Sequence, residues 1–167
     1  ALCEFAKNDP VCRRLMTIPG VGPVTAVRFV AALDKVERFK TAHAVASYLG
    51  LTPGENSSSE RKQMTGITKA GSSEVRRTLV QGAWTILRRF QNSPMGKWAR
   101  RIAERRGRFI AVVALARKLS GIMFALWRDG AVYHVECREE EENDPGEQQL
   151  SVRDQPRRGK VAPESKE

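Results

Sequence analysis

Hydrophobic positions recur at helical spacing along most of the first 130 residues of this chain. The first pattern is short: Val11, Leu15 and Met16 line one face of a helix that Asp9 can cap. The second pattern, AVRFVAAL, follows a glycine-containing turn. These two patterns predict a pair of helices at about residues 11–33, joined by the tight turn IPGVGP.

Four more helical patterns follow. They begin after Thr41, after Ser72 or Ser73, after Ser93 and at Phe109. The last pattern, from Phe109 to Trp127, is apolar almost all round except for Arg117 and Lys118. A helix of that kind is usually buried on every side. We therefore predict a mainly α fold, a helical bundle built around one long central helix.

A long polar segment separates two of these helices. It runs from Gly50 to Arg77 and contains three consecutive serines, Ser57, Ser58 and Ser59. Its composition predicts an irregular polar loop, over about residues 50–72, that is held at both ends by packed helices. Serine-rich loops are usually solvated connectors, whereas loops positioned by rigid elements often carry function. Composition alone leaves both interpretations open.

The end of the chain has a different composition. Residues 135–167 are charged and contain almost no large apolar side chain, which predicts a disordered tail after a helical domain at 1–134. No apolar run approaches the roughly 20 residues of a membrane span, since Arg117, Lys118 and Arg128 interrupt the best candidate. We therefore expect a cytoplasmic protein with no membrane partner.

Charge is divided unevenly along the chain. Residues 1–130 hold 23 Lys and Arg against 9 Asp and Glu, and residues 131–167 hold 6 against 10. The body of the chain therefore carries +14 and the tail −4. A basic body is typical of proteins that bind a polyanion, and since no amphipathic membrane helix is evident, nucleic acid is the expected partner.

Two features supply candidate contacts to a nucleic-acid backbone. The first turn resembles a helix-hairpin-helix motif, in which glycines let a phosphate approach and the N-terminus of the next helix attracts it. A basic stripe on the helix after Ser93 is the second. The candidate residues are Gly20, Gly22, Thr25 and Arg28 in the motif, and Lys97, Arg101 and Arg105 in the stripe. An ordinary helical corner and a solvated surface are the alternatives.

Cations also accompany the three serines. They are Arg61, Lys62, Lys69, Arg76 and Arg77. Arg76 and Arg77 fall in the first two turns of a helix, where the helix dipole disfavours positive charge. They therefore have no evident stabilising role and are candidates to bind a phosphate near the serines, with solvated arginines as the alternative.

The three cysteines favour reduced thiols. Cys3, Cys12 and Cys137 are odd in number, widely spaced and form no CxxC pair. That spacing argues against both a disulfide framework and a zinc site. We therefore expect no metal or other cofactor in this chain.

The order of several short motifs resembles one known family. They are IPGVGPVTA, ERF, ASYLGLTPGENSSSERKQMTGITKAGS, VRRTLVQGAW, AVVALARKL and DGAVYH. Together they resemble the insertion-sequence transposases of the IS one-ten (also IS one-sixteen) type, which are related to pilin-gene DNA invertases. The likeness extends from about Leu15 to His134 and corresponds to the C-terminal half of that family.

This resemblance implies recombination of DNA guided by a structured bridge RNA and carried out by dimers or tetramers in the prokaryotic cytoplasm, in association with the nucleoid. It implies a nucleophilic serine shortly after the LTP sequence, and the count from Leu51 gives Ser58. Ser57 and Ser59 are alternatives because Ser59 stands where the family usually has glycine. It also implies an N-terminal RuvC-like domain whose four acidic residues bind magnesium, and we expect that domain to be missing here.

Two functions other than an enzymatic one are also consistent with the sequence. A non-enzymatic DNA- or RNA-binding module would use the helix-hairpin-helix motif and the basic stripe, with the serines only capping turns. Its binding would depend steeply on salt and would be indifferent to Ser58. An inactive transposase fragment would fold without either activity.

Overall fold

A computed structural model describes residues 2–58 and 61–134, without the side chains of residues 55–58 and 61–65. This part of the chain forms seven α-helices, two strands and one short 3-10 helix, Val36–Arg38, between α3 and α4. The elements are α1 Leu2–Asn8, α2 Pro10–Leu15, α3 Pro23–Leu33, α4 Ala42–Tyr48, β1 Pro53–Ser58, β2 Arg61–Ile67, α5 Ser73–Arg89, α6 Pro94–Arg106 and α7 Arg108–Asp129. The predicted mainly α class is confirmed, and the predicted tail at 135–167 lies outside the described residues.

The central helix is α7, as its apolar sequence predicts. It packs against α2, α4, α5 and α6. Its largest fully buried side chains are Leu115, Leu119, Met123 and Phe124. Burial of side chains of this size stabilises a fold by about 1.5–3 kcal/mol each, so α7 supplies much of the core. The helix ends at Gly130, whose φ of 65° suits glycine at a helix C-terminus.

The expectation that no apolar run approaches the length of a membrane span is wrong for α7. By length and composition this helix is long and apolar enough to cross a bilayer, and no other helix of the described residues is. The charges of Arg117 and Lys118 are too few to change that result, because both lie within one otherwise apolar segment. The core helix of a compact fold meets the same criteria, and the packing of four helices around α7 accounts for its composition.

Four helices begin where their capping residues predict. Asp9 accepts a hydrogen bond from the Cys12 N–H at 2.7 Å, and Thr41 accepts one from the Ala44 N–H at 3.1 Å. Ser72, rather than Ser73, caps α5, and Ser93 caps α6. Each such cap contributes about 1 kcal/mol, and it acts locally, which is why the sequence alone identifies it.

The first helix, α1, was not predicted. Ala6 is its only buried residue, while Leu2 and Phe5 are exposed. A helix that buries a single alanine has no apolar stripe, so periodicity gives no signal for it. Its position comes from packing on α2 and α3.

The polar segment is a β-hairpin, where the sequence predicted an irregular loop. Strands β1 and β2 pair in antiparallel register, with Pro53 opposite Ile67 and Ser58 opposite Arg61. A bulge interrupts the register between Pro53 and Glu55. The prediction was wrong because PGENSS and most of RKQMTGI lack the alternation of apolar and polar residues by which strands are recognised.

The thiols of Cys3 and Cys12 should react very differently in the folded protein. Cys12 is fully buried, and burial together with the neighbouring Asp9 carboxylate raises the pKa of its thiol to about 12. Cys3 is exposed. In a Cys137→Ser background at pH 8, we expect iodoacetamide to modify Cys3 at least about 100-fold faster than Cys12, since the thiolate is the nucleophile. Equal rates under native conditions would contradict this, whereas equal rates in denaturant are the expected control.

The raised pKa of the Cys12 thiol also determines the direction in which the stability of the fold changes with pH. Because the folded state disfavours the thiolate, the neutral Cys12 thiol makes its full contribution to the free energy of unfolding at pH values below the ordinary thiol pKa of 9.0. It is lost progressively as the pH rises from there towards about 12. A Cys12→Ala variant should therefore lose less stability over that range than the parent chain does.

Candidate functional site: a serine hairpin and a basic helical surface

The serine hairpin, residues 53–67, is held by hydrogen bonds at its base. The Thr68 N–H donates to the Thr52 carbonyl at 3.0 Å, and the Lys69 N–H donates to the Gly50 carbonyl at 3.1 Å. Leu51 and Thr52 are buried. The chain therefore enters the hairpin through buried residues, and backbone hydrogen bonds tie the exposed leaving strand to them.

Two glycines bring the backbones at this base unusually close. A Cβ atom on Gly50 would lie 2.2 Å from the Ala70 carbonyl oxygen, and one on Gly71 would lie 2.2 Å from the Tyr48 carbonyl oxygen. Both glycines have positive φ, at 70° and 71°. Any side chain at either position would collide with backbone, so these glycines are required for the hairpin to emerge here.

Arg76 clamps the same base from helix α5. Its Nη1 atom donates to the carbonyl oxygens of Leu49, Ala70 and Gly71, at 3.2, 2.5 and 3.0 Å. The expectation that Arg76 lacks a stabilising role is therefore wrong, because its guanidinium joins α5 to both chains of the hairpin base. A contact across 27 residues cannot be found from local helix periodicity. Arg77, the next residue, is exposed.

Replacing Arg76 with alanine should loosen the hairpin. Hydrogen bonds from a charged donor contribute about 1.5–3 kcal/mol when partly buried, and the variant leaves three carbonyls without that donor. We expect faster tryptic cleavage after Arg61 and Lys62 and a Tm lower by several degrees, measured by time-course proteolysis and circular dichroism. Arg77→Ala is the matched control on the same helix and should match the parent chain in both assays. Unchanged cleavage in the Arg76 variant would show that the hairpin base does not need the clamp.

The strand register pairs serines with cations along the hairpin backbone. Ser57 lies opposite Lys62 and Ser58 lies opposite Arg61. Ser59, the third candidate, lies outside the described residues. Lys69 is exposed beyond the end of β2, and its φ of 57° is left-handed, which is uncommon for a residue other than glycine. The hairpin thus gathers two of the candidate serines and two of the candidate cations into one element.

Gly20 and Gly22, in the turn between α2 and α3, have different surroundings. Gly20 faces α5: a Cβ there would lie 2.7 Å from the Gly82 carbonyl oxygen, and φ is 83°. Gly82 in turn allows the Gly20 carbonyl to approach, since its own Cβ would lie 2.9 Å from that oxygen. A Cβ on Gly22 would meet no atom within 4 Å. Gly20 is therefore needed for packing against α5, and only Gly22 is open to an approaching ligand.

The other candidates in that motif are also engaged within the fold. Thr25 is buried, which removes its side chain from direct contact with a ligand. Val24, at the start of α3, is 43% exposed. Arg28 forms an ion pair with Glu74 at 3.3 Å that joins α3 to α5 at the surface. Such pairs contribute little energy and exchange readily.

Helix α6 carries the basic stripe on its exposed face. Lys97, Arg101 and Arg105 are all exposed, whereas Met95 and Ala99 are buried against the rest of the fold. The ring of Trp98 is covered by the Lys118 ammonium, 4.5 Å from the ring centroid. The predicted separation of the helix into a basic face and an anchored face is thus present. Among the described residues, no three His, Cys, Asp or Glu side chains are grouped to hold a metal ion.

Comparison with known proteins points to one family. Residues 12–99 match the family described as "Transposase IS116/IS110/IS902 family". The chain is similar to "Transposase for insertion sequence element IS1111A" of Coxiella burnetii, at 36% identity over 127 residues, and to "Probable family 20 transposase" of Pseudomonas aeruginosa, at 30% over 122 residues. It is also similar to "Transposase for insertion sequence element IS1328" of Yersinia enterocolitica, at 29% over 128 residues.

These alignments cover most of the present chain and a smaller part of each relative. The three matches include 75%, 72% and 75% of this chain. They include 35%, 36% and 38% of the respective relatives. The chain therefore spans about a third of the length of the curated relatives it matches. The region that matches the family, residues 12–99, contains the turn between α2 and α3, the serine hairpin and the beginning of α6.

Proposed function

Because this chain belongs to the IS116/IS110/IS902 transposase family, we propose that it is the C-terminal catalytic domain of a DNA transposase. In this proposal Ser58 is the nucleophile, with Ser57 and Ser59 as the neighbouring alternatives. The observation that carries it is the serine hairpin, in which Ser58 lies opposite Arg61 at the end away from the base, and the base itself is clamped by Arg76. A clamped base fixes where the hairpin leaves the helical fold, and positioning of a nucleophile relative to its phosphorus atom is a large part of catalysis.

The proposed reaction is transfer of a DNA phosphoryl group to the serine. As the Ser58 oxygen bonds to phosphorus, the bond from phosphorus to one DNA oxygen breaks; the serine gives up its proton and the leaving oxygen gains one. The product is a phosphoserine diester, which conserves the phosphodiester bond for rejoining to a second DNA end. Lys and Arg side chains of the hairpin neutralise the charge that develops on the phosphoryl oxygens.

Other parts of the proposal concern the complete transposase. We propose DNA and a structured guide RNA as partners, a dimer or tetramer as the active assembly, and the nucleoid of the prokaryotic cytoplasm as its location. The excess of Lys and Arg over residues 1–130 and the exposed basic face of α6 support nucleic acid as the partner. Magnesium would be held by the four acidic residues of an N-terminal RuvC-like domain and would help to activate the phosphodiester.

Capture of a covalent adduct tests the proposal. Residues 1–134 replace the matching segment of a full-length family transposase, which is then supplied with the DNA ends and RNA of its own element. We expect a protein–DNA adduct that survives denaturation, with the DNA remnant on the tryptic peptide 41–61, which contains all three serines.

The same experiment separates the enzyme from a binding module. A chimaera that binds DNA with steep salt dependence but forms no adduct, while the unmodified host transposase forms one, would overturn the catalytic role. An adduct on any peptide other than 41–61 would remove the serine hairpin from the reaction.

A further inference from the structure

An exposed aromatic ring, that of Phe109, lies at the corner between α6 and α7 and contacts the partly buried ring of Trp84. Phe109 is the second residue of α7, the helix that the sequence predicted to be central, yet it is 80% exposed. Its ring meets Trp84 of α5 edge to face, with centroids 6.0 Å apart and an angle of 86° between the planes. The neighbouring Ile110 is also exposed. Because four-fifths of Phe109 is open to solvent, at least one face of its ring is free.

Nearly all the charged residues between these two aromatic residues in the sequence are positive. Between Trp84 and Phe109 the sequence holds eight Lys or Arg and one acidic residue, Glu104. The Arg88 guanidinium carbon lies 5.0 Å from the centroid of the Trp84 ring, a cation–π contact. On the exposed surface next to Phe109 in sequence lie Arg105, Arg106 and Arg108.

The packing of the fold does not account for this aromatic residue. Phe109 is outside the buried core, and Trp84 already packs against that core without it. A surface that combines a free aromatic face with many cations is poorly suited to an apolar protein partner, because docking would desolvate the arginines. It is well suited to single-stranded nucleic acid, in which unpaired bases stack on aromatic rings while phosphates meet the cations.

We propose that Phe109, supported by Trp84, is a stacking platform for an unpaired base of single-stranded nucleic acid, and that the arginines next to it neutralise the adjoining phosphates. The inference rests on the proposed function in one respect, that nucleic acid is the partner of this chain. To the proposed function it adds a base-stacking site at Phe109 and a preference for unpaired strands. Bases within a duplex are already stacked on one another, so a duplex would engage only the cations.

Binding of labelled oligonucleotides to the 167-residue chain tests the platform. The probes are a fluorescein-labelled single strand of mixed sequence, as DNA and as RNA, and the corresponding DNA duplex, titrated at one fixed salt concentration. Phe109→Ala should weaken binding of the single strand on the order of tenfold or more, and binding of the duplex less than about twofold. Phe109→Trp should restore single-strand binding, since a larger ring stacks at least as well.

A second exposed phenylalanine provides the matched control. Phe5 of α1 is 56% exposed and lies on a helix that packs on α2 and α3. Phe5→Ala should bind all three probes as the parent does. Unchanged single-strand affinity in Phe109→Ala, or an equal loss for strand and duplex, would overturn the platform while leaving the proposed transposase function intact. If the parent chain binds none of the three probes, nucleic acid as its partner fails together with the platform.

The two single-stranded probes also identify the strand that the platform takes. A loss confined to the DNA probe would assign it to an exposed DNA strand. A loss confined to the RNA probe would assign it to an unpaired segment of the guide. Equal losses are expected if stacking alone is responsible, since every base has an aromatic face.

Discussion

Replacing Ser58 with alanine is expected to abolish the covalent protein–DNA adduct in the chimaeric transposase, with strand cleavage slower on the order of 1,000-fold or more. The size of the effect follows from the role: the serine oxygen forms the new bond to phosphorus, and no other group can replace it at the same position. Binding of DNA should change less than about twofold, since a hydroxyl contributes little beside the basic surface. Denaturing gels measure the adduct and filter binding measures affinity.

The neighbouring serines provide the matched controls for this result. Ser57→Ala and Ser59→Ala change the same chemical group at adjacent positions, and each should leave adduct formation within about threefold of the parent. If the adduct instead disappears in one of these two variants and persists in Ser58→Ala, the nucleophile is the neighbour. An adduct that persists in all three single variants would exclude the hairpin serines altogether.

The helical part of the fold could be predicted because its signals are local. Six of the seven helices of the described residues follow from apolar periodicity and from capping residues such as Thr41 and Ser93. Both signals act over one or two turns, so the sequence contains the whole of the information. The exception, α1, is ordered by packing on neighbours rather than by an apolar stripe of its own.

The hairpin could not be predicted because its determinants are distant in sequence. Its strands carry few apolar residues, and its base depends on Arg76, on Gly71 and on the pairing of Thr52 with Thr68. Each of these contacts joins positions more than a dozen residues apart or depends on the backbone path. The motif order therefore singled out the serines as a group without revealing the element that holds them.

For the candidate nucleic-acid contacts, too, residue type is visible in the sequence but the environment of each residue in the fold is not. A glycine, a threonine and an arginine in a phosphate-binding motif look equally available in the sequence. In the fold, Gly20 is packed against Gly82, Thr25 is buried and Arg28 is paired with Glu74. The exposed stripe on α6 was predictable because amphipathic periodicity separates its two faces. Phe109 was not, since an apolar residue at a helix start resembles a core residue.

Gly20→Ala should lower the stability of the fold and Gly22→Ala its affinity for nucleic acid, although the two glycines are separated by one residue. At Gly20 a Cβ would lie 2.7 Å from the Gly82 backbone and 2.8 Å from the Ile86 side chain, at a φ of 83°. Left-handed backbone costs about 1–2 kcal/mol for alanine and overpacking about 1–3 kcal/mol more. We expect Gly20→Ala to lose about 2–5 kcal/mol of unfolding free energy, a large share of the stability of a domain this size.

Gly22→Ala should retain the fold and lose affinity for nucleic acid. Its Cβ would meet no atom within 4 Å, and its φ of −97° suits any residue, so the cost should stay below about 1 kcal/mol, as for an N-cap change. The added methyl would stand where a phosphate must approach the start of α3, so duplex affinity should fall several-fold at unchanged stability. Urea unfolding and duplex titration of both variants measure the two effects separately. Unchanged affinity in Gly22→Ala would remove the turn from the nucleic-acid surface and leave α6 as the principal backbone contact.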